Sequence, residues 1–140
     1  MAAYAVHELT VEIDTGSSTF VSVAGLETAD ISINGEVKDW NEQGNGGWKS
    51  RLLTGKDIEV ALSGKRVEGD TGNDYIATLV DEVTTGATST LKITWPNGDI
   101  LQMACVVDVG SYGGGNTTDV GVLEFSCLSN GQPTFTGFSA

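Results

Sequence analysis

Residues 90–109 constrain the chain most. Leu91-Lys92-Ile93-Thr94-Trp95 alternates apolar and polar side chains, and a strand turns successive side chains to opposite faces. Pro96-Asn97-Gly98-Asp99 follows. Proline presets φ for the second turn position, and Asn-Gly accepts a positive φ. Ile100 to Val109 then supplies a return strand. The segment predicts one long β-hairpin, so the chain must build a sheet with an apolar layer on one face.

The same alternation recurs in Leu9–Asp14, more weakly in Phe20–Val23, and again in Ile58–Leu62. Val120 to Leu128 reads as a final long strand. One segment has the helical period instead. Ile76, Leu79, Val80 and Val83 fall at i, i+3, i+4 and i+7. Asn73 or Thr71 can cap its start, Asp74 suits the positive end of the helix dipole, and Thr84-Thr85-Gly86 ends it. Residues 34–50 and 110–118 read as loops. The first is long for a compact domain and carries Trp40 and Trp48 among polar residues and glycines. Large aromatics there call for a surface to bury them. Cys105 and Cys127 each lie in an apolar run, which suits buried free thiols; a disulfide would need a secretory context that the N-terminus does not announce.

Charge narrows the function. There are 19 acidic side chains against 7 basic ones, a net of −12. That balance opposes a nucleic-acid binder, which needs a basic footprint. It is also uneven. Residues 1–37 hold six acids and no base, and residues 67–140 hold nine acids and only Lys92. Residues 38–66 hold six bases and four acids. A mildly basic middle between acidic ends suggests that one copy can meet another through opposite charges. No apolar run approaches the roughly 20 residues of a membrane span.

Catalytic templates fail for want of parts. The single histidine, His7, can build neither a multi-His metal site nor a convincing Ser-His-Asp triad. No nucleophile elbow or phosphate loop is present. Asp70 to Asp74 lacks the spacing of a Ca²⁺ loop. Asp14-Thr15-Gly16, with Asp70-Thr71-Gly72 later, resembles the paired catalytic turns of aspartic proteases, where two carboxylates share a proton. Yet the triplets are too close in sequence for two lobes, and Asp70 precedes a helix. A turn capped by its own Asp is the plainer account. No catalytic, cofactor or metal residue is assigned.

Three features then fall in a telling order. Asp39-Trp40 opens a polar, Gly-rich loop, followed by the Ile58–Leu62 strand. A short helix near Asn73–Val83 comes next, and then the Leu91 to Asp99 strand and Pro-Asn-Gly turn, with Val107 to Gly110 entering the next loop. This order, over roughly residues 35–128, resembles the major tail tube proteins of long-tailed bacteriophages, a family related in fold to contractile-tail and type VI secretion tubes. The resemblance implies a mainly β chain: a small β-sandwich or barrel with one short flanking α-helix and a long inter-subunit loop. Residues 1–140 would form a single tail-tube domain, with an N-terminal arm (1–8), the long loop (34–50) and a C-terminal tail (129–140).

It further implies a structural virion protein, assembled in the host cytoplasm, whose hexameric rings stack into a tube. The tube would surround a tape measure protein, join tail terminator and tail tip proteins, and pass double-stranded DNA without specific binding. No cofactor and no membrane contact are expected. Asp39, Trp40, Trp48, Lys49 and Arg51 are the expected contacts between subunits or rings, since Trp and Arg are common interface anchors. Both Trp could instead cover the edge of their own core. Glu59, Asp99, Asp108 and Glu124 are candidate lumen acids, because a negative wall repels phosphate. Two other classes stay open: a monomeric β-sandwich decoration or adhesion module, and an aspartic-protease-like hydrolase using Asp14-Thr15-Gly16.

Overall fold

The computed structural model describes residues 3–16 and 19–137. Ser17 and Ser18 of the Asp-Thr-Gly-Ser-Ser segment lie outside the described residues, as do residues 1–2 of the N-terminal arm and 138–140 of the C-terminal tail.

A short 3₁₀ turn, Val6–Glu8, leads into β1 (Thr10–Asp14) and β2 (Phe20–Ser22). Two long strands follow, β3 (Leu26–Asn41) and β4 (Lys49–Lys65). Helix α1 (Thr71–Thr78) precedes β5 (Thr88–Thr94), β6 (Ile100–Tyr112), β7 (Val122–Ser129) and β8 (Thr134–Thr136). All eight strands share one antiparallel sheet in the order β2-β1-β5-β6-β7-β4-β3, with β8 alongside β6. The fold is thus mainly β with one flanking helix. The sheet is not closed into a barrel within one copy: β2 and β3 are its two ends.

Alternation along each strand builds the core. Ile58, Val60 and Leu62 of β4, Leu123, Phe125 and Cys127 of β7, and Leu101, Met103, Cys105 and Val107 of β6 all turn to one face and are buried. Leu91 and Ile93 of β5 and Ile13 of β1 extend this layer, and Ile76 and Leu79 of α1 pack on it. Cys105 and Cys127 are free and buried. Cys127 faces Val107 across the ladder, so the two thiols are diagonal neighbours. The Cys105 hydrogen bond, then burial, push the Cys127 thiol up. The same bond pulls Cys105 down.

The β5–β6 hairpin forms as the sequence predicts. Gly98 N–H donates to the Trp95 carbonyl at 2.9 Å, and Trp95 N–H to the Asp99 carbonyl at 2.9 Å. Only Gly98 takes the positive φ, at 95°.

Three expectations change. Residues 34–50 are mostly not loop: β3 and β4 stay paired out to Asn41 and Lys49, leaving 42–48 as the turn. Two paired strands need no buried face to satisfy their backbones, so a polar, Gly-rich stretch can still be a ribbon. The C-terminal tail is not free either, since Thr134–Thr136 pairs with Ile100–Gln102 of β6. Helix α1 begins at neither expected cap and stops at Thr78, short of the expected Thr84-Thr85-Gly86 end, so Val80 and Val83 lie outside it and are exposed. Asp70 is its N-cap, accepting from Asn73 N–H at 2.9 Å and from Ala24 N–H at 3.0 Å.

Asn73 is released from capping because it is buried for another task. Its Nδ2 donates to the carbonyls of Ala24 and Lys65, while its Oδ1 accepts from Arg66 Nη1 at 2.8 Å and Val67 N–H at 3.1 Å. Arg66 also pairs with Asp74 at 2.9 Å and lies over the Tyr112 ring. The helix is thereby bolted to the end of β4. Gly72 lets it sit against the Ser22 carbonyl, where a Cβ would collide with backbone. Removing the buried Asn73 amide takes hydrogen bonds from four partners at once, the carbonyls of Ala24 and Lys65, the Arg66 guanidinium and Val67 N–H. Asn73→Ala is therefore expected to lower the unfolding free energy by about 3 kcal/mol in a denaturant titration, against under about 0.5 for Gln102→Ala on the exposed face of β6.

Candidate functional site

Two surfaces stand apart from the core, and both follow from strand register. Directly opposed residues share a face. Asp30 faces Ala61, Ala61 faces Ser126, and Ser126 faces Asp108. One row along, Thr28, Ser63 and Glu124 align; on the other side, Ser32, Glu59 and Leu128 do. Asn34 and Asp57 form the next row. The face of β3-β4-β7-β6 opposite the core therefore carries Asp30, Asp57, Glu59, Asp108 and Glu124 among Ser, Thr and Ala side chains, with Leu128 and Val106 beside Glu59. No base lies within these rows. Ion pairs bound them at either end: Lys65–Glu27 at 3.7 Å and Lys38–Glu36 at 2.8 Å. Among the described residues, none of the five acids is in an ion pair. A shallow hollow of about 340 Å³ runs across the face, with Asp30, Asp108, Glu124, Ser63 and Ser126 in its lining.

Three of the expected lumen acids, Glu59, Asp108 and Glu124, thus share one face. Asp99 does not join them. It closes the β5–β6 turn, where its N–H donates to Asn97 Oδ1 and its carboxylate accepts from Asn97 Nδ2. Asp30 was missed because β3 was not read as a strand, although Ala29-Asp30-Ile31-Ser32-Ile33-Asn34 alternates cleanly and could have found it. Asp57 was missed because it lies one residue before the Ile58–Leu62 strand, in a part of β4 that was not read as strand.

The second surface is the arm formed where β3 and β4 outrun the sheet. The last β4–β7 pair is Glu59 with Leu128; from Asp57 to Lys49, β4 has only β3 beside it. The arm brings the five expected contact residues together. Asp39 faces Arg51 across the ladder, Trp40 faces Ser50, and Lys49 pairs with Asp39 at 3.8 Å. Trp40 Nε1 donates to Glu42 at 2.8 Å. Trp48 sits in the end turn, where its carbonyl accepts from Asn45 Nδ2, and is 78% exposed. Neither Trp belongs to the core of its own chain, which removes the alternative of edge-covering aromatics.

The two Asp-Thr-Gly triplets have local tasks. Asp14 Oδ1 accepts from Gly16 N–H at 2.8 Å in a turn, and Asp70 caps α1. No cluster able to hold a metal ion occurs among the described residues, and no helix there is long and apolar enough to cross a membrane.

Comparison with known proteins agrees with this geometry. A family model described as phage tail tube protein matches residues 8–126. Among solved structures, the tail of an empty gene transfer agent particle with C6 symmetry aligns at a TM-score of 0.75 and 24% identity, covering 96% of this chain and all of that one. A chain of the native gene transfer agent virion aligns at 0.75 and 22% identity, with the same coverage. A chain from the tube-terminating cap of the anti-feeding prophage aligns at 0.65 and 11% identity, covering 97% of this chain and 92% of that one. At these identities the likeness establishes a shared fold. No curated protein matches in sequence.

The arm is expected to contribute nothing to the stability of an isolated copy. Trp48→Ala should change the unfolding free energy by less than about 0.5 kcal/mol. Leu62→Ala, in the core, should cost about 2–5 kcal/mol in the same chemical denaturation assay.

Proposed function

Because the chain belongs to the phage tail tube protein family, we propose that six copies close into a ring and that rings stack into a tube conducting double-stranded DNA. As a tail tube protein it is a structural component of a phage-type tail. The ring, the conduit and a purely non-enzymatic role are the finer reading. The observation that carries it is the acidic face: five acids, with no base within their rows, on one side of a sheet that one copy leaves open.

An open sheet presents unpaired backbone along its edges, and β3 exposes an edge of 16 residues. A copy on either side can satisfy such edges, and closure around a ring removes them. The gene transfer agent tail was solved with C6 symmetry, which favours six copies here. With the apolar face turned to the copy's own core, the acidic face is left for the lumen. Carboxylates there repel phosphate, so DNA slides without being held; a basic wall would retain it by counterion release. Asp39, Trp40, Trp48, Lys49 and Arg51 then serve contacts between copies, and the tape measure, terminator and tip proteins are the partners of the finished tube.

Negative-stain microscopy of the purified protein is expected to show rings or tubes. Trp40→Ala should shorten or abolish them, and long normal tubes from that variant would remove the arm from assembly. Tubes carrying Asp30→Lys, Asp108→Lys and Glu124→Lys should retain double-stranded DNA at low salt and release it as salt rises. Unmodified tubes should retain none. Failure of the basic tubes to hold DNA would place these acids away from the lumen.

A further inference from the structure

The β3–β4 arm has a second side. Ile33, Val37 and Leu53 lie on the same face as buried Ile58 and Val60 but stay exposed; Gly131, Pro133 and Phe135 border Ile33 and Lys56 across a hollow of about 440 Å³, and Val37 and Leu53 lie farther along the arm. Val37 is 56% exposed. The same side carries Arg51 and Lys56, neither in an ion pair among the described residues. The arm therefore presents an apolar strip with free cations beside it.

The chain also holds a complementary feature. After α1, residues 80–86 are exposed throughout. They begin Val80-Asp81-Glu82-Val83, with Val83 72% exposed. Two apolar side chains here flank two carboxylates. Thr84 follows with φ of 57°, the one non-glycine positive φ among the described residues. Such backbone costs on the order of 1–3 kcal/mol and persists where its surroundings impose it, so the turn is held in a defined shape.

We infer that the Val80–Val83 turn of one copy docks on the Ile33–Val37–Leu53 side of the arm of a second copy, with Asp81 and Glu82 against Arg51 and Lys56. This rests on the tube reading and names which surface receives the arm. The two features are not docked on each other within one copy, where Val80, Val83, Ile33, Val37 and Leu53 all stay exposed. A contact between two different surfaces of one molecule is head-to-tail, and it propagates through a ring or a stack. Opposite charge fixes its register, and the apolar strip supplies burial.

Cysteine cross-linking tests this directly. Cys105 and Cys127 are buried, so oxidation of assembled protein reports on introduced thiols. Val37→Cys combined with Val83→Cys should yield a ladder of covalent multimers on a non-reducing denaturing gel, and neither single variant should. Arg51→Glu with Lys56→Glu should raise the concentration needed for assembly roughly tenfold, and adding Asp81→Lys and Glu82→Lys should restore it. Normal rings or tubes without a ladder would overturn the docking and leave the tube reading standing. A ladder from protein that forms neither rings nor tubes would keep the docking and overturn the tube. Neither assembly nor ladder would overturn both.

Discussion

The molecule depends on one mismatch of length. Strand β4 runs 17 residues, but β7 pairs only with its last part, Glu59 to Lys65. Within that part β4 is an interior strand: its even-numbered side chains enter the core and its odd-numbered ones face away. Beyond it, the β3–β4 ribbon has no third strand paired to it, and only Gly131, Pro133 and Phe135 border its start. The backbone ladder continues because it needs only two strands, while side-chain burial stops because it needs a third element. The arm, its uncovered apolar strip and the exposure of both tryptophans all follow.

The acidic face has the same origin. Carboxylates on separate strands converge only because β3, β4, β7 and β6 pair in a register that keeps them on one side. A one-residue slip in any ladder would send one set of acids into the core and one set of apolar side chains outward. The buried Val60, Leu62, Phe125 and Val107 thus hold the charge pattern in place as much as they stabilise the sheet. The helix is not laid against this working face. Asn73 and Arg66 tie it to the opposite end of β4, leaving the acidic rows and the arm uncovered by their own chain.

Sequence reading succeeded where structure is set by neighbours in the chain. The β5–β6 hairpin was legible from its alternation and from Pro96-Asn97-Gly98, because a turn answers to its own four residues. Helix α1 was legible in its existence and in Ile76 and Leu79, which pack on the core, but not in its cap or its length: it ends at Thr78, and Val80 and Val83 are exposed. Asp70 took the capping role because Asn73 was drawn into hydrogen bonds with residues 24 and 65, which no local pattern shows. Most of the arm was illegible, since a ribbon without a buried face has no alternation to display. Strand β8 was missed because three residues carry too little pattern.

The sequence by itself determined that the chain makes a β-sheet with a helix, that its acids outnumber its bases, and that its basic residues cluster in the middle. These depend on local spacing and on counts. Only the tertiary structure decided that Asp30, Asp57, Glu59, Asp108 and Glu124 share a surface while Asp99 stays in its turn, and that the arm outruns the sheet beyond Glu59. Those outcomes depend on pairing between distant segments. Register across a ladder is chosen by burial of the opposite face, and that choice exists only once the strands have met.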